Sequence, residues 1–181
     1  MLIFGTMTNK YLPTFDSVTV ELNKIGPGPI AAIAGIIGCL VIGFGALISA
    51  IYFFGSEAYS PSNHFVSELG MGNASGSAHT FNLSLKVGGL LLLIFGLALG
   101  RYLQQSRVAK FATAASVVAS LSFAAIGVFP ANEWTPHMIA AGTFFTTAML
   151  AIVLFSYCIW KNRKRHLHRF ITMQGFIIAS L

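Results

Sequence analysis

Charge is scarce in this chain. Of 181 residues only 9% are Asp, Glu, Lys or Arg, against about 25% in an ordinary soluble domain, and that deficit excludes a water-soluble globule. Set beside 55% apolar and aromatic residues, it also excludes intrinsic disorder, which needs charge and lacks apolar surface. Cysteine is nearly missing. Cys39 and Cys158, the two present, give neither a disulfide framework nor zinc-site spacing, and their places inside apolar runs make both packing residues. Acids are few, so the net charge is +6. The positive residues fall between apolar runs rather than on one polar face, which excludes a nucleic-acid surface and indicates membrane topology.

What is abundant is apolar sequence in blocks of spanning length. A helix needs about 20 mostly apolar residues to cross a ~30 Å hydrocarbon layer. Residues 30–54 carry no charge and follow Pro27-Gly-Pro29, a sequence suited to a helix entrance. Residues 81–100 contain one charge, Lys86, and residues 110–129 are rich in Ala and Ser. Thr135-Pro136 offers an N-cap and a first helical residue for 136–160. A fifth run, 170–181, covers only roughly 18 Å and reads as a span left incomplete. The first run is too long for a signal peptide and lacks a compact basic leader. The expected fold is therefore an all-α polytopic transmembrane helix bundle: a tail over 1–29, then one membrane domain over 30–181, with four full spans and part of a fifth.

Orientation follows from the loops. Arg101, Arg107 and Lys110 flank the second connection, and Lys161, Arg163, Lys164, Arg165 and Arg169 crowd the segment after the fourth run. The connections 55–80 and 130–136 hold Glu57, Glu68 and Glu133 with no Lys or Arg. The positive-inside rule places the N-terminus and both basic loops in the cytoplasm and the acidic loops outside. The basic cluster Lys161, Arg163, Lys164 and Arg165 determines topology and is a candidate contact for anionic lipid. Small residues four apart (Ala31/Gly35, Ala34/Gly38, Gly96/Gly100, Ala115/Ala119) and Gly88-Gly89 predict close helix packing. Tyr52, Tyr59 and Trp134 on one side, with Tyr102, Tyr157 and Trp160 on the other, fit two aromatic belts.

Polar chemistry concentrates at the acidic-loop side. The stretch 59–70 predicts a short helix with Ser60 as cap, Pro61 in its first turn and Gly70 as stop. On such a helix Phe65 and Leu69 point to the bilayer, while His64 and Glu68 share another face. His79, Asn82 and Lys86 form a stripe along the start of the second span. Lys86 either snorkels or pairs with an acid, Glu68 before Glu133. His137 falls in the first turn of the fourth span, level with His79. Ser67, Glu68, His79, Asn82, Lys86 and His137 are thus the candidate polar pocket.

Asn63-His-Phe-Val-Ser-Glu-Leu-Gly70, Phe81-Asn82, Gly127-Val-Phe-Pro130 and His137 together resemble the successive motifs of an uncharacterised membrane family, domain of unknown function 998. More distantly the chain is similar to the DRAM-type membrane proteins. The resemblance implies a six-helix bundle in prokaryotic membranes and no established activity.

Three functions are open. The first is a non-enzymatic membrane protein whose outward pocket is structural or binds a lipid head group or small molecule; it requires no cofactor. The second is an intramembrane metal-dependent hydrolase with His64, His79 and His137 as ligands and Glu68 or Glu133 activating water. Against it, no His-x-x-x-His or His-Glu-x-x-His spacing occurs, and Lys86 repels a cation. A serine nucleophile at Ser67 lacks the Gly-x-Ser-x-Gly elbow. The third is a small transporter, which usually carries ionisable groups and broken helices near the bilayer centre. Here no proline lies inside a span. The first reading is preferred.

Overall fold

A computed structural model describes residues 26–54, 57–103, 106–161, 172–175 and 177–178. The tail assigned to 1–29 therefore lies outside the described residues except at its last four positions, as do Arg163, Lys164 and Arg165. Among the described residues there are four long helices: α1 (Pro27–Ile51), α2 (Ala78–Tyr102), α3 (Arg107–Ile126) and α4 (Trp134–Lys161). A short 3-10 turn, Val66–Gly70, lies in the connection between α1 and α2. All four helices are long and apolar enough to cross a membrane. The chain is a multi-pass integral membrane protein, helical as its composition predicts. Residues 172–175 and 177–178 are helical, and Gly175 packs on Ser156 and Ile152 of α4.

Each helix starts two or three residues before its apolar run. Pro27 and Pro29 open α1, where their missing N–H groups would have no helical partner anyway. Ser106 caps α3, its hydroxyl accepting the Ala109 N–H at 3.1 Å. α4 begins at Trp134 rather than Pro136, because the Pro130–Glu133 turn already sets the first helical bond, His137 N–H to the Glu133 carbonyl at 3.0 Å. Pro136 is then the third helical residue, still among the positions whose N–H needs no partner.

The helices pack in chain order. α1 lies on α2, α2 on α3 and α3 on α4, whereas no Cα of α1 comes within 8 Å of α3 or α4. Small residues set these contacts. A Cβ added at Gly89 would fall 2.8 Å from the Ala124 nitrogen and 2.9 Å from the Ser120 carbonyl, so α2 and α3 touch backbone to backbone. Gly96 and Gly100 instead receive the side chains of Ser116 and Thr113 of α3, and Gly38 of α1 meets the Leu91 side chain. Two cores result. At the basic-loop end Leu103, Ala109, Ala112, Ala115, Ala151 and Phe155 pack together. At the other end Leu69, Phe81 and Leu85 pack with Ile42, Ala50 and Phe123.

Two packing expectations change. Cys158 is buried, but Cys39 is exposed, because it lies off the buried Ala31, Ala34, Gly38, Gly45, Ser49 stripe of α1. Tyr52, Trp134 and Trp160 are exposed, whereas Tyr59 is half-buried and turned onto Phe53 and His64.

Candidate functional site

The loop before α2 is irregular where a helix over 59–70 is expected. The Ser60 carbonyl accepts from the Asn63 and His64 N–H groups, making one turn. The chain then extends at Phe65 before the 3-10 turn. Side chains cause the break. The Glu68 carboxylate accepts the Phe65 N–H at 2.8 Å, and His64 Nδ1 accepts the Ser60 N–H at 3.2 Å; such local bonds compete with helix. As a result Phe65 and Leu69 diverge, the one 79% exposed and the other 1%.

Long-range hydrogen bonds hold this loop on the helix ends. The Ser49 hydroxyl donates to the Leu69 carbonyl at 2.6 Å. It also meets the Ser75 hydroxyl at 2.7 Å, and Ser75 donates to the Ser49 carbonyl at 2.8 Å. That carbonyl lies in the last turn of α1, where the chain leaves the helix and helical donors run out. The Asn82 amide donates to the Gly70 carbonyl at 2.9 Å. Finally, Phe54 N–H to Ala74 and Gly76 N–H to Tyr52 tie the loop's two ends together. Ser49 and Ser75 escaped the sequence reading. The available signal was one serine, Ser49, near the end of an otherwise apolar run.

Phe53, Tyr59 and His64 form a ring cluster above this floor, with centroids 4.8 to 5.7 Å apart. Burial raises the Tyr59 phenol above its ordinary value of 10.0, and the nearby Glu68 carboxylate adds to the rise. Glu57 accepts from the Asn63 amide at 3.2 Å.

The six candidate residues are placed as follows. Asn82 and Lys86 lie one turn apart on α2, against Gly127. A Cβ at Gly127 would stand 3.2 Å from Lys86 Cγ and would collide with the Asn82 carbonyl. Lys86 is half-buried. Glu68 is turned to Phe65 and not to Lys86. Ser67 is half-buried and His79 exposed. His137 is buried at 5% exposure, and its Nδ1 donates to the Phe129 carbonyl at 2.8 Å, since a carbonyl can only accept. No hydrogen bond or ion pair joins any two of the six among the described residues.

A metal set of His64, His79 and His137 is not gathered either, since no three His, Cys, Asp or Glu side chains converge among the described residues. With Nδ1 of a neutral His64 accepting from Ser60, the ring hydrogen sits on Nε2, which then has no lone pair for a cation. Two shallow apolar hollows of about 630 and 410 Å³ lie between α1 and α2, lined by Gly28, Ala32, Gly35, Cys39, Phe95 and Tyr102 among others. None of the six polar residues borders them.

A family profile described as Protein of unknown function (DUF998) matches residues 33–181. The chain belongs to this family. The DUF998 match takes in Asn63–Gly70, Phe81-Asn82, Gly127–Pro130 and His137, which the structure ties into one end of the helix array. Gly70 bonds Asn82, Gly127 abuts Asn82, and Phe129 bonds His137. No curated protein and no solved structure matches the chain, so the DRAM-type likeness gains no support from these comparisons.

Proposed function

We propose that this DUF998 protein is a non-enzymatic protein of the cell membrane, with its N-terminus in the cytoplasm. On this reading the acidic-loop end binds an anionic lipid head group or small anionic molecule through Lys86. The carrying observation is Lys86 itself. It lies eight residues into α2, about 12 Å along the helix, half-buried and without a carboxylate partner among the described residues. An unpaired ammonium group at that depth is costly, and an external anion lowers the cost. The acids nearest in sequence are otherwise engaged: Glu68 with Phe65 and Glu57 with Asn63.

On the opposite side, Lys161 with Arg163, Lys164 and Arg165 supplies the positive charge for the assigned orientation and a second contact for anionic lipid.

The test is mass spectrometry of lipids and small molecules retained by purified protein and by Lys86→Met. The protein should hold an anionic species enriched over the bulk membrane, and K86M should lose it. An identical retained set in K86M refutes the assignment.

A further inference from the structure

The depth of the Val66–Gly70 turn follows from the helices that hold it. α1 and α2 each contain 25 residues, about 37 Å of helix, so each end clears a ~30 Å hydrocarbon layer by roughly 3–4 Å. Ser49 lies two residues inside the end of α1 and Asn82 four residues inside the start of α2, about 3 and 6 Å below those ends. These two side chains hold the Leu69 and Gly70 carbonyls directly. The turn is therefore level with the hydrocarbon edge, not above it in water.

Non-helical backbone at that level needs its polar groups satisfied from within the protein. The Leu69 carbonyl has Ser49, the Gly70 carbonyl has Asn82 and the Phe65 N–H has Glu68. The apolar side chains divide by direction. Leu69 enters the core, whereas Phe65 and Val66 stand out from the protein, 79% and 57% exposed. Tyr52 and Phe54, where α1 gives way to the loop, are exposed too, so this apolar surface continues the lipid-facing side of α1.

We infer that Phe65–Gly70 is an interfacial re-entrant turn that inserts Phe65 and Val66 between the lipid head groups and the upper acyl chains of its own leaflet. Its occupant is bilayer lipid. The inference is independent of any ligand at Lys86.

Tryptophan depth measurement tests it. Trp134 and Trp160 are changed to Phe, and Phe65→Trp is introduced. The protein is placed in phosphatidylcholine vesicles with or without bromines near the top of the acyl chains. F65W should emit at a blue-shifted maximum and lose most of its emission to the brominated lipid, with little loss to aqueous iodide. Asn73→Trp, an exposed loop position, should show the reverse pattern. Val66→Trp provides the same readout if F65W fails to fold. Quenching of F65W by iodide alone would put the turn in water and overturn the inference. Quenching by neither agent would mean that protein covers Phe65, and this also overturns it.

Discussion

The side-chain amide of Asn82 donates a 2.9 Å hydrogen bond to the carbonyl oxygen of Gly70, twelve residues earlier in the chain. This bond fixes the end of the loop turn to the first turns of α2. Close beside it, Gly127, the residue that caps the end of α3, abuts the Asn82 carbonyl, so one residue organises the loop, α2 and the end of α3.

Asn82→Leu keeps similar bulk but leaves the Gly70 carbonyl without a donor. The expected loss is about 1 kcal/mol, within the range for a hydrogen bond removed in a membrane protein. Asn82→Asp should lose the bond as well, since an ionised carboxylate cannot donate. Equilibrium unfolding in mixed detergent measures the loss, and faster proteolytic cutting within 57–74 reports the released loop.

Ser49 and Ser75 hold two hydroxyl hydrogens against three close oxygen contacts: Leu69 O, Ser49 O and each other. The pair therefore acts as a unit. Ser49→Ala and Ser75→Ala should each cost about 1 kcal/mol. The double variant should cost less than the two combined, with a coupling of at least about 0.5 kcal/mol in a double-mutant cycle.

The four spans were legible in the sequence because spanning length is a property of composition alone, and only their ends shifted by one to three residues. The loop was not. Its path depends on Glu68 reaching the Phe65 N–H and His64 reaching the Ser60 N–H, and helical periodicity carries no sign of either. Of the candidate site, Asn82 beside Lys86 followed from their spacing on one helix. The links of Ser49 to Leu69 and Ser75 cross 20 and 26 residues of chain, and no local pattern marks them.

Gly89 should be intolerant of side chains. Gly89→Val places carbon against the Ala124 nitrogen and the Ser120 carbonyl, and overpacking of this kind costs about 1–3 kcal/mol. Gly43→Val is the control. It has nothing within 4 Å of its Cβ position and should change stability by less than about 0.5 kcal/mol. Thermal inactivation of the detergent-purified variants, followed by size-exclusion chromatography, separates the two.

Tyr59 should keep its proton to higher pH than a free tyrosine, because burial and then Glu68 raise its phenol. The sign follows directly. An unfolded tyrosine ionises near 10.0 while the folded one stays neutral. The contribution of Tyr59 to stability is thus complete below that pH and declines as pH climbs from there through the folded value. Absorbance at 295 nm should show a late-titrating component that Tyr59→Phe removes. Glu68→Gln should move it part of the way down, the smaller part, since burial is the larger cause.

Because every helix interface among the described residues joins neighbours in the chain, assembly can keep pace with synthesis. The α1–α2 hairpin contains Ser49, Ser75, Leu69, Gly70 and Asn82 within residues 27–102, so the knot that secures its loop can close before α3 has left the ribosome. A released fragment ending shortly after Tyr102 would already contain every residue of that knot, and α3 and the Gly127 that follows it seal the end by packing on Gly89 and Asn82.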